Sequence, residues 1–185
     1  ALYVVATPIG NLSDISMRAL DVLAKAEVIA AEHVQNSKHL LAAHAITAKL
    51  IALHQHNEAA VAGKIVTLLE SGKSVALITD AGTPGISDPG AIVVQHVRES
   101  GYRVVPVPGA NAAICALSAA GMMNPYFLFY GFLPTKSGLR KRELTALKSH
   151  PYTLIFYEAP HRILECIADM IDIFGAQREI TVARE

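Results

Sequence analysis

The sequence predicts an α/β fold built on a mostly parallel sheet. Strand-like and helix-like runs alternate over nearly the whole length. Several of the strand-like runs, such as Val75-Ala76-Leu77-Ile78, are apolar throughout, as strands are when helices cover both faces of their sheet. Composition agrees: of 185 residues, 52% are hydrophobic and 17% charged, enough for a sizeable core and too apolar for a disordered chain.

Short apolar runs place the first five strands at residues 2–6, 27–31, 50–53, 74–79 and 103–107. Helical spacing fills the intervals at 15–25, 37–44, 58–70, 90–100 and 110–120. In the first helix Asp14 is the expected cap, and Met17, Leu20 and Leu23-Ala24 share a face. Gly121-Met122-Met123-Asn124-Pro125 then breaks the pattern with turn residues, so one α/β domain is expected over 1–121 and a second over 122–185. The second set of elements is a strand at 126–132, a helix at 139–149, a strand at 152–157, a helix at 162–174 and a strand at 179–183. With three strands and an abrupt stop at Arg184-Glu185, the second domain is expected to be incomplete.

The charge total is zero, with Lys+Arg 16 against Asp+Glu 16, so net charge offers no case for a nucleic-acid partner. Its distribution does. Between Pro134 and His150 lie Lys136, Arg140, Lys141, Arg142 and Lys148 against Glu143 alone, a local excess of four that suits phosphate; a solvated helix face is the plainer alternative. Cys115 and Cys166 sit 51 positions apart among apolar residues and are expected to be two buried thiols. No apolar run reaches the roughly 18 residues of a membrane helix, and the start lacks the basic region of a signal peptide, so a cytoplasmic protein is expected. Metal is not expected. His54-Gln55-His56 would put two imidazoles on one face of a strand, but Glu32-His33, His39 and His44 miss HExxH spacing and there is no Cys cluster.

Ligands of open α/β sheets lie beyond the carboxyl ends of the strands, so the strand-to-helix loops are the segments to weigh. Three combine Pro, Gly and a small polar residue: 6–12 (Ala-Thr-Pro-Ile-Gly-Asn-Leu), 79–90 (Thr-Asp-Ala-Gly-Thr-Pro-Gly-Ile-Ser-Asp-Pro-Gly) and 106–111 (Pro-Val-Pro-Gly-Ala-Asn). Such loops let backbone approach a ligand and offer N–H groups at a helix start. At twelve residues the second is long for its place; the alternative is a turn in which Asp80 and Asp88 act only as caps. A dinucleotide fingerprint is absent after the first strand. Gly72-Lys73-Ser74 imitates the end of a phosphate-binding loop, yet residue 67 is Thr and the segment precedes a strand.

The loops, taken with Gly131-Phe132-Leu133-Pro134, Lys136-Ser137-Gly138, the run from Phe156 to Arg162 and Val182-Ala183-Arg184-Glu185, resemble the tetrapyrrole (corrin/porphyrin) methylase superfamily. The similarity covers the whole chain and is greatest to the RNA-directed branch, the small-subunit (16S) rRNA cytidine 2′-O-methyltransferases. It implies a methyltransferase dependent on S-adenosylmethionine, two α/β domains with the cofactor in the cleft between them, and usually a homodimer. By motif, Asp80, Ala81, Gly82, Thr83 and Ile86 would line the methionine and ribose side. Pro8, Pro108, Gly109 and Ala110 would add backbone and apolar contacts, and Tyr157 with Ala183 would approach the adenine. Lys136, Arg140, Lys141 and Arg142 would hold phosphates of small-subunit rRNA.

Two positions depart from the pattern: relatives commonly carry an acidic-Thr-Arg run after Ala-Glu, where this chain reads Ala31-Glu32-His33-Val34-Gln35, and Gln55 stands where Glu is expected. A ribose hydroxyl is a poor nucleophile until deprotonated, and Glu158, His56 and Glu32 are the general-base candidates by loop position. The alternatives are methylation of a small tetrapyrrole and a non-catalytic RNA-binding relative.

Overall fold

The computed structural model describes residues 1–184, so Glu185, the last residue of the Val182-Ala183-Arg184-Glu185 motif, lies outside the described residues. Two compact units are present, the first Ala1–Ala112 and the second beginning at Ala113, nine residues before the expected division at 121/122.

In the first unit β1 (Leu2–Val5), β2 (Val28–Ala31), β3 (Lys49–Ala52), β4 (Val75–Ile78) and β5 (Val104–Val107) form one parallel sheet in the order β3-β2-β4-β1-β5. The connecting helices are α1 (Met17–Lys25), α2 (Val34–Ala43), α3 (Glu58–Glu70) and α4 (Ala91–Glu99). Strand residues alternate between faces, and the two faces carry separate cores. Leu2, Val28, Ala30, Val75 and Leu77 pack with Val61 and Ile65 of α3 and Val93 and Val97 of α4. Val5, Ile29, Ala31, Ala76 and Ile78 pack with Ala19 and Leu23 of α1 and Leu40 and Leu41 of α2. Both faces of β2 and β4 are thus buried, which is why these strands are apolar at every position. Pro106 is tolerated because β5 is an edge strand.

Local details differ from expectation. A 3-10 turn at Leu12–Asp14, capped by Asn11, precedes α1, so the cap of α1 is Ser16, whose hydroxyl accepts from the Ala19 N–H at 3.0 Å, rather than Asp14. The buried side of α1 is Ala19 and Leu23 with half-buried Leu20; Met17 and Ala24 are exposed. The helix expected from Ser37 begins at Val34 behind His33, which makes no side-chain cap bond and so gives no start signal. His54-Gln55-His56 form a turn after β3 instead of a strand face, closed by the Asn57 carboxamide accepting from His54 N–H at 2.8 Å.

In the second unit α5 (Ala112–Ala119), which starts at the division, is followed by β6 (Phe127–Phe132), α6 (Ser137–Leu147), β7 (Thr153–Tyr157) and α7 (Ile163–Phe174). β6 and β7 pair in parallel, with a bulge before Gly131. Leu133, Leu144 and Cys166 are the buried centre of a small core. The strand expected at 179–183 does not form: residues 179–184 are exposed and in no ladder among the described residues, and β-propensity without a partner strand does not make a strand. Cys166 is buried as expected, but Cys115 is exposed on α5. No helix among the described residues is long and apolar enough to cross a membrane.

Candidate functional site

Chain connections leave β1 and β4 in opposite directions along the sheet, β1 toward β2 and β3, β4 toward β5. The crevice beyond the carboxyl ends of these neighbours is the switch point where open α/β sheets bind ligands. Four loops meet there. Thr7, after β1, forms an antiparallel bridge with Gly82, after β4: Thr7 N–H donates to the Gly82 carbonyl at 2.9 Å and Gly82 N–H to the Thr7 carbonyl at 3.0 Å. The buried Thr7 hydroxyl donates to the Thr79 carbonyl at 3.0 Å. The loop after β5 is tied in by the Thr83 hydroxyl, which donates to the Ala110 carbonyl at 3.1 Å. Gly109 lies so close to the first loop that a Cβ there would sit 2.9 Å from the Ala6 Cβ, and Gly82 has φ +85°, which favours glycine.

The fourth loop follows β2. Asp80 accepts from His33 N–H at 3.3 Å on one carboxylate oxygen, and on the other from His33 Nδ1 at 2.8 Å and Asn36 Nδ2 at 2.6 Å. The Glu32 carboxylate in turn accepts from Asp80 N–H at 3.2 Å. Neither Asp80 nor Asp88 caps α4. That role falls to buried Glu58 of α3, whose carboxylate accepts from Gly90 and Ile92 N–H at 3.1 and 3.2 Å. Asp88 lies beside Thr79, whose hydroxyl donates to it at 3.4 Å. Burial, then the nearby charges of Glu32 and Asp80, push the Asp88 carboxyl up to about 6.

The resulting surface is acidic, with exposed Ala81 and half-buried Thr83 whose backbone N–H groups find no acceptor among the described residues. Crowded carboxylates favour a ligand with positive charge, and the free N–H groups favour one with acceptor oxygens. An open groove of about 850 Å³ runs from Thr83 and Ile86 to Arg98 and Arg103.

The whole chain, residues 1–185, matches the family described as tetrapyrrole (corrin/porphyrin) methylases. The chain belongs to that family. A ribosomal RNA small subunit methyltransferase I of Pseudomonas aeruginosa is 53% identical over 184 residues, covering 100% of this chain and 65% of that protein. The proteins of the same name from Escherichia coli O157:H7 and Bacillus subtilis are 49% and 48% identical, with 100% of this chain covered and 64% and 63% of theirs. The chain therefore spans just under two thirds of the length of these relatives. Among solved structures, cobalt precorrin-4 methyltransferase CbiF is similar with TM-score 0.69 at 20% identity over 95% of this chain and 76% of its own, and the methyltransferase CobJ with 0.67 at 16% over 92% and 75%. At that identity they show the fold.

In this tetrapyrrole methylase family member the first unit brings Glu32, Pro8, Asp80, Ala81, Gly82, Thr83, Pro108, Gly109 and Ala110 to the four converging loops, with Ile86 39% exposed beside them. His56 lies in the turn after β3 and contacts Gln55 at 3.4 Å. In the second unit the Tyr157 hydroxyl accepts from Ala113 N–H at 3.2 Å, and its ring meets Phe129 and Phe132 edge-on. Ala183 is exposed and lies outside any helix or strand. Glu158 is committed elsewhere: its side chain is buried, accepts from Ala159 N–H and pairs with Arg162 at 3.2 Å.

The basic segment needs correction. Arg140 is 1% exposed; its guanidinium donates to Asp169 at 2.7 Å and to the Pro134 and Thr135 carbonyls, so it organises the second unit and presents no charge to a phosphate. Lys141 pairs with Asp172 at 2.7 Å and with Asp169 at 3.5 Å, and Arg142 with Glu143 at 3.3 Å. Lys136 and Lys148 are exposed and pair with no carboxylate among the described residues. The residue that sequence reasoning missed is His33. It stood out as a departure from the family pattern and as a histidine that misses metal-ligand spacing, and its partner Asp80 is 47 positions away.

Proposed function

We propose that the protein transfers a methyl group from S-adenosylmethionine to the 2′-hydroxyl of a cytidine ribose in small-subunit rRNA. The observation that carries this reading is identity of about half over the whole chain to relatives named for small-subunit rRNA methylation. The loop geometry supports the cofactor. S-adenosylmethionine bears a sulfonium and an ammonium, which the acids Glu32, Asp80 and Asp88 favour, and a carboxylate and ribose oxygens, which the Ala81 and Thr83 N–H groups can meet. Gly82 and Gly109 keep backbone close to that ligand, Pro8, Pro108, Ala110 and Ile86 add apolar surface, and Tyr157 and Ala183 are assigned toward the adenine by motif.

When bound, the cofactor supplies an activated methyl group with a good leaving group, so the chain's own task is alignment and proton removal. Lys136, Lys141 and Arg142 are the proposed phosphate contacts. The same reading takes the protein as a cytoplasmic homodimer.

The test is methyl incorporation by the full-length protein into small ribosomal subunits that lack the modification, with the modified nucleoside identified by mass spectrometry. Stoichiometric 2′-O-methylcytidine is expected. No transfer to subunits by protein that binds S-adenosylmethionine would overturn the reading.

A further inference from the structure

The exposed face of the first unit holds a histidine arranged as a base. Both oxygens of Asp80 engage His33, one through its backbone N–H at 3.3 Å and one through Nδ1 at 2.8 Å. Asp80 is itself held by Asn36 at 2.6 Å and by its own N–H on Glu32 at 3.2 Å, so the carboxylate that orients the imidazole is fixed in place. An ionised carboxylate only accepts, so the neutral ring bonded to it carries its proton on Nδ1 and leaves the Nε2 lone pair unused. The side chain is 66% exposed, at the carboxyl end of β2 beside the switch point, where a substrate as large as RNA can reach it.

We propose that His33 is the general base that removes the proton from the ribose 2′-hydroxyl. The assignment rests on the ribose-methylation reading above. As the O2′–H bond breaks its proton passes to His33 Nε2, the freed O2′ electron pair forms the bond to the methyl carbon, and the electron pair of the broken carbon–sulfur bond returns to sulfur. Asp80 is a positioning residue for this step: it selects the tautomer and stabilises the imidazolium that forms. The other candidates lack this arrangement. Glu158 is buried against Arg162, the His56 ring bonds only Gln55 among the described residues, and Glu32 spends one carboxylate oxygen on Asp80 N–H. The charged groups facing His33 are Asp80 and Glu32, with Asp88 behind them.

The test uses the full-length protein, small ribosomal subunits and the variants His33→Ala, His33→Asn and Asp80→Asn. Imidazole ¹⁵N spectra of the protein alone are expected to show His33 protonated on Nδ1 in the wild type, and a shift toward the Nε2–H form in Asp80→Asn. His33→Ala and His33→Asn are expected to lose on the order of 10²-fold or more in kcat at unchanged affinity for S-adenosylmethionine by calorimetry. The fall in kcat at low pH should vanish with them, and added imidazole should restore part of the rate of His33→Ala. An Nε2–H tautomer in the wild type, or His33→Ala turnover at the wild-type rate with an unchanged pH profile, overturns the assignment alone. A wild-type rate that depends on stoichiometric Zn²⁺ bound through His33 overturns it in favour of a metal role. Wild-type protein that binds S-adenosylmethionine but methylates no subunit overturns the ribose reading and the assignment together.

Discussion

Two close side-chain pairs, one in each unit, have nearly the same length and opposite surroundings. Arg140 and Asp169 meet at 2.7 Å with 1% and 9% of their side chains exposed; His33 and Asp80 meet at 2.8 Å with 66% and 30% exposed. Distance alone does not separate them. Burial does. A buried ion pair commits both partners to each other, because neither can be released without leaving a charge in low dielectric. An exposed pair contributes little to stability and leaves its outer atoms for a third party. The second unit has thus spent a conspicuous arginine on its own architecture, while the first keeps a histidine at the surface.

The most severe break is Asp169→Ala, which strands the Arg140 guanidinium and should destabilise the fold by about 3–5 kcal/mol in urea unfolding. Next, Gly109→Ala pushes a methyl group against Ala6; about 1–3 kcal/mol of destabilisation is expected, with weaker S-adenosylmethionine binding by calorimetry, since the loops cannot move independently. By contrast, His33→Ala should change the unfolding free energy by no more than about 0.5 kcal/mol. A large loss there would show the surface pair to be structural and erase the comparison.

The smallest effect is on pH dependence. Asp88 has a folded-state value raised from 3.8 to about 6, so the stabilisation of its protonated form is present below 3.8 and is lost as pH rises through about 6. Asp169 has the opposite sign: burial acts to raise it, but the Arg140 and Ser137 hydrogen bonds and the positive charges hold it lower, so its contribution is present above the ordinary carboxylate range and lost as pH falls. Asp88→Asn should therefore flatten the decline in urea midpoint between pH 4 and pH 6 and leave the acid-side loss intact.

The comparison also shows what the sequence could and could not tell. Strands buried on both faces have no choice but to be apolar at every position, which is why β2 and β4 were legible within a residue or so. The start of α2 was not, because His33 offers no capping oxygen. The 179–183 segment has strand composition, but pairing depends on a partner that composition does not encode. Arg140 misled for a related reason. Counting along 134–150 sees one helix, whereas the acids that pair with it, Asp169 and Asp172, lie on α7 about 30 positions later. Loops 6–12, 79–90 and 106–111 were recognisable by their Pro and Gly residues. Their hydrogen bonds, and the capture of His33 by Asp80, are contacts between strands distant in sequence and become visible only once the sheet order brings β2 and β4 side by side.

The two cysteines have a practical consequence for such measurements. The Cys166 thiol is pushed up to about 11, by burial first and then by Glu158, so near neutral pH it stays protonated and shielded. Cys115, exposed on α5, is the thiol of the two that a maleimide dye can reach. Within residues 1–184 it thereby offers a place for a fluorescent reporter on the second unit.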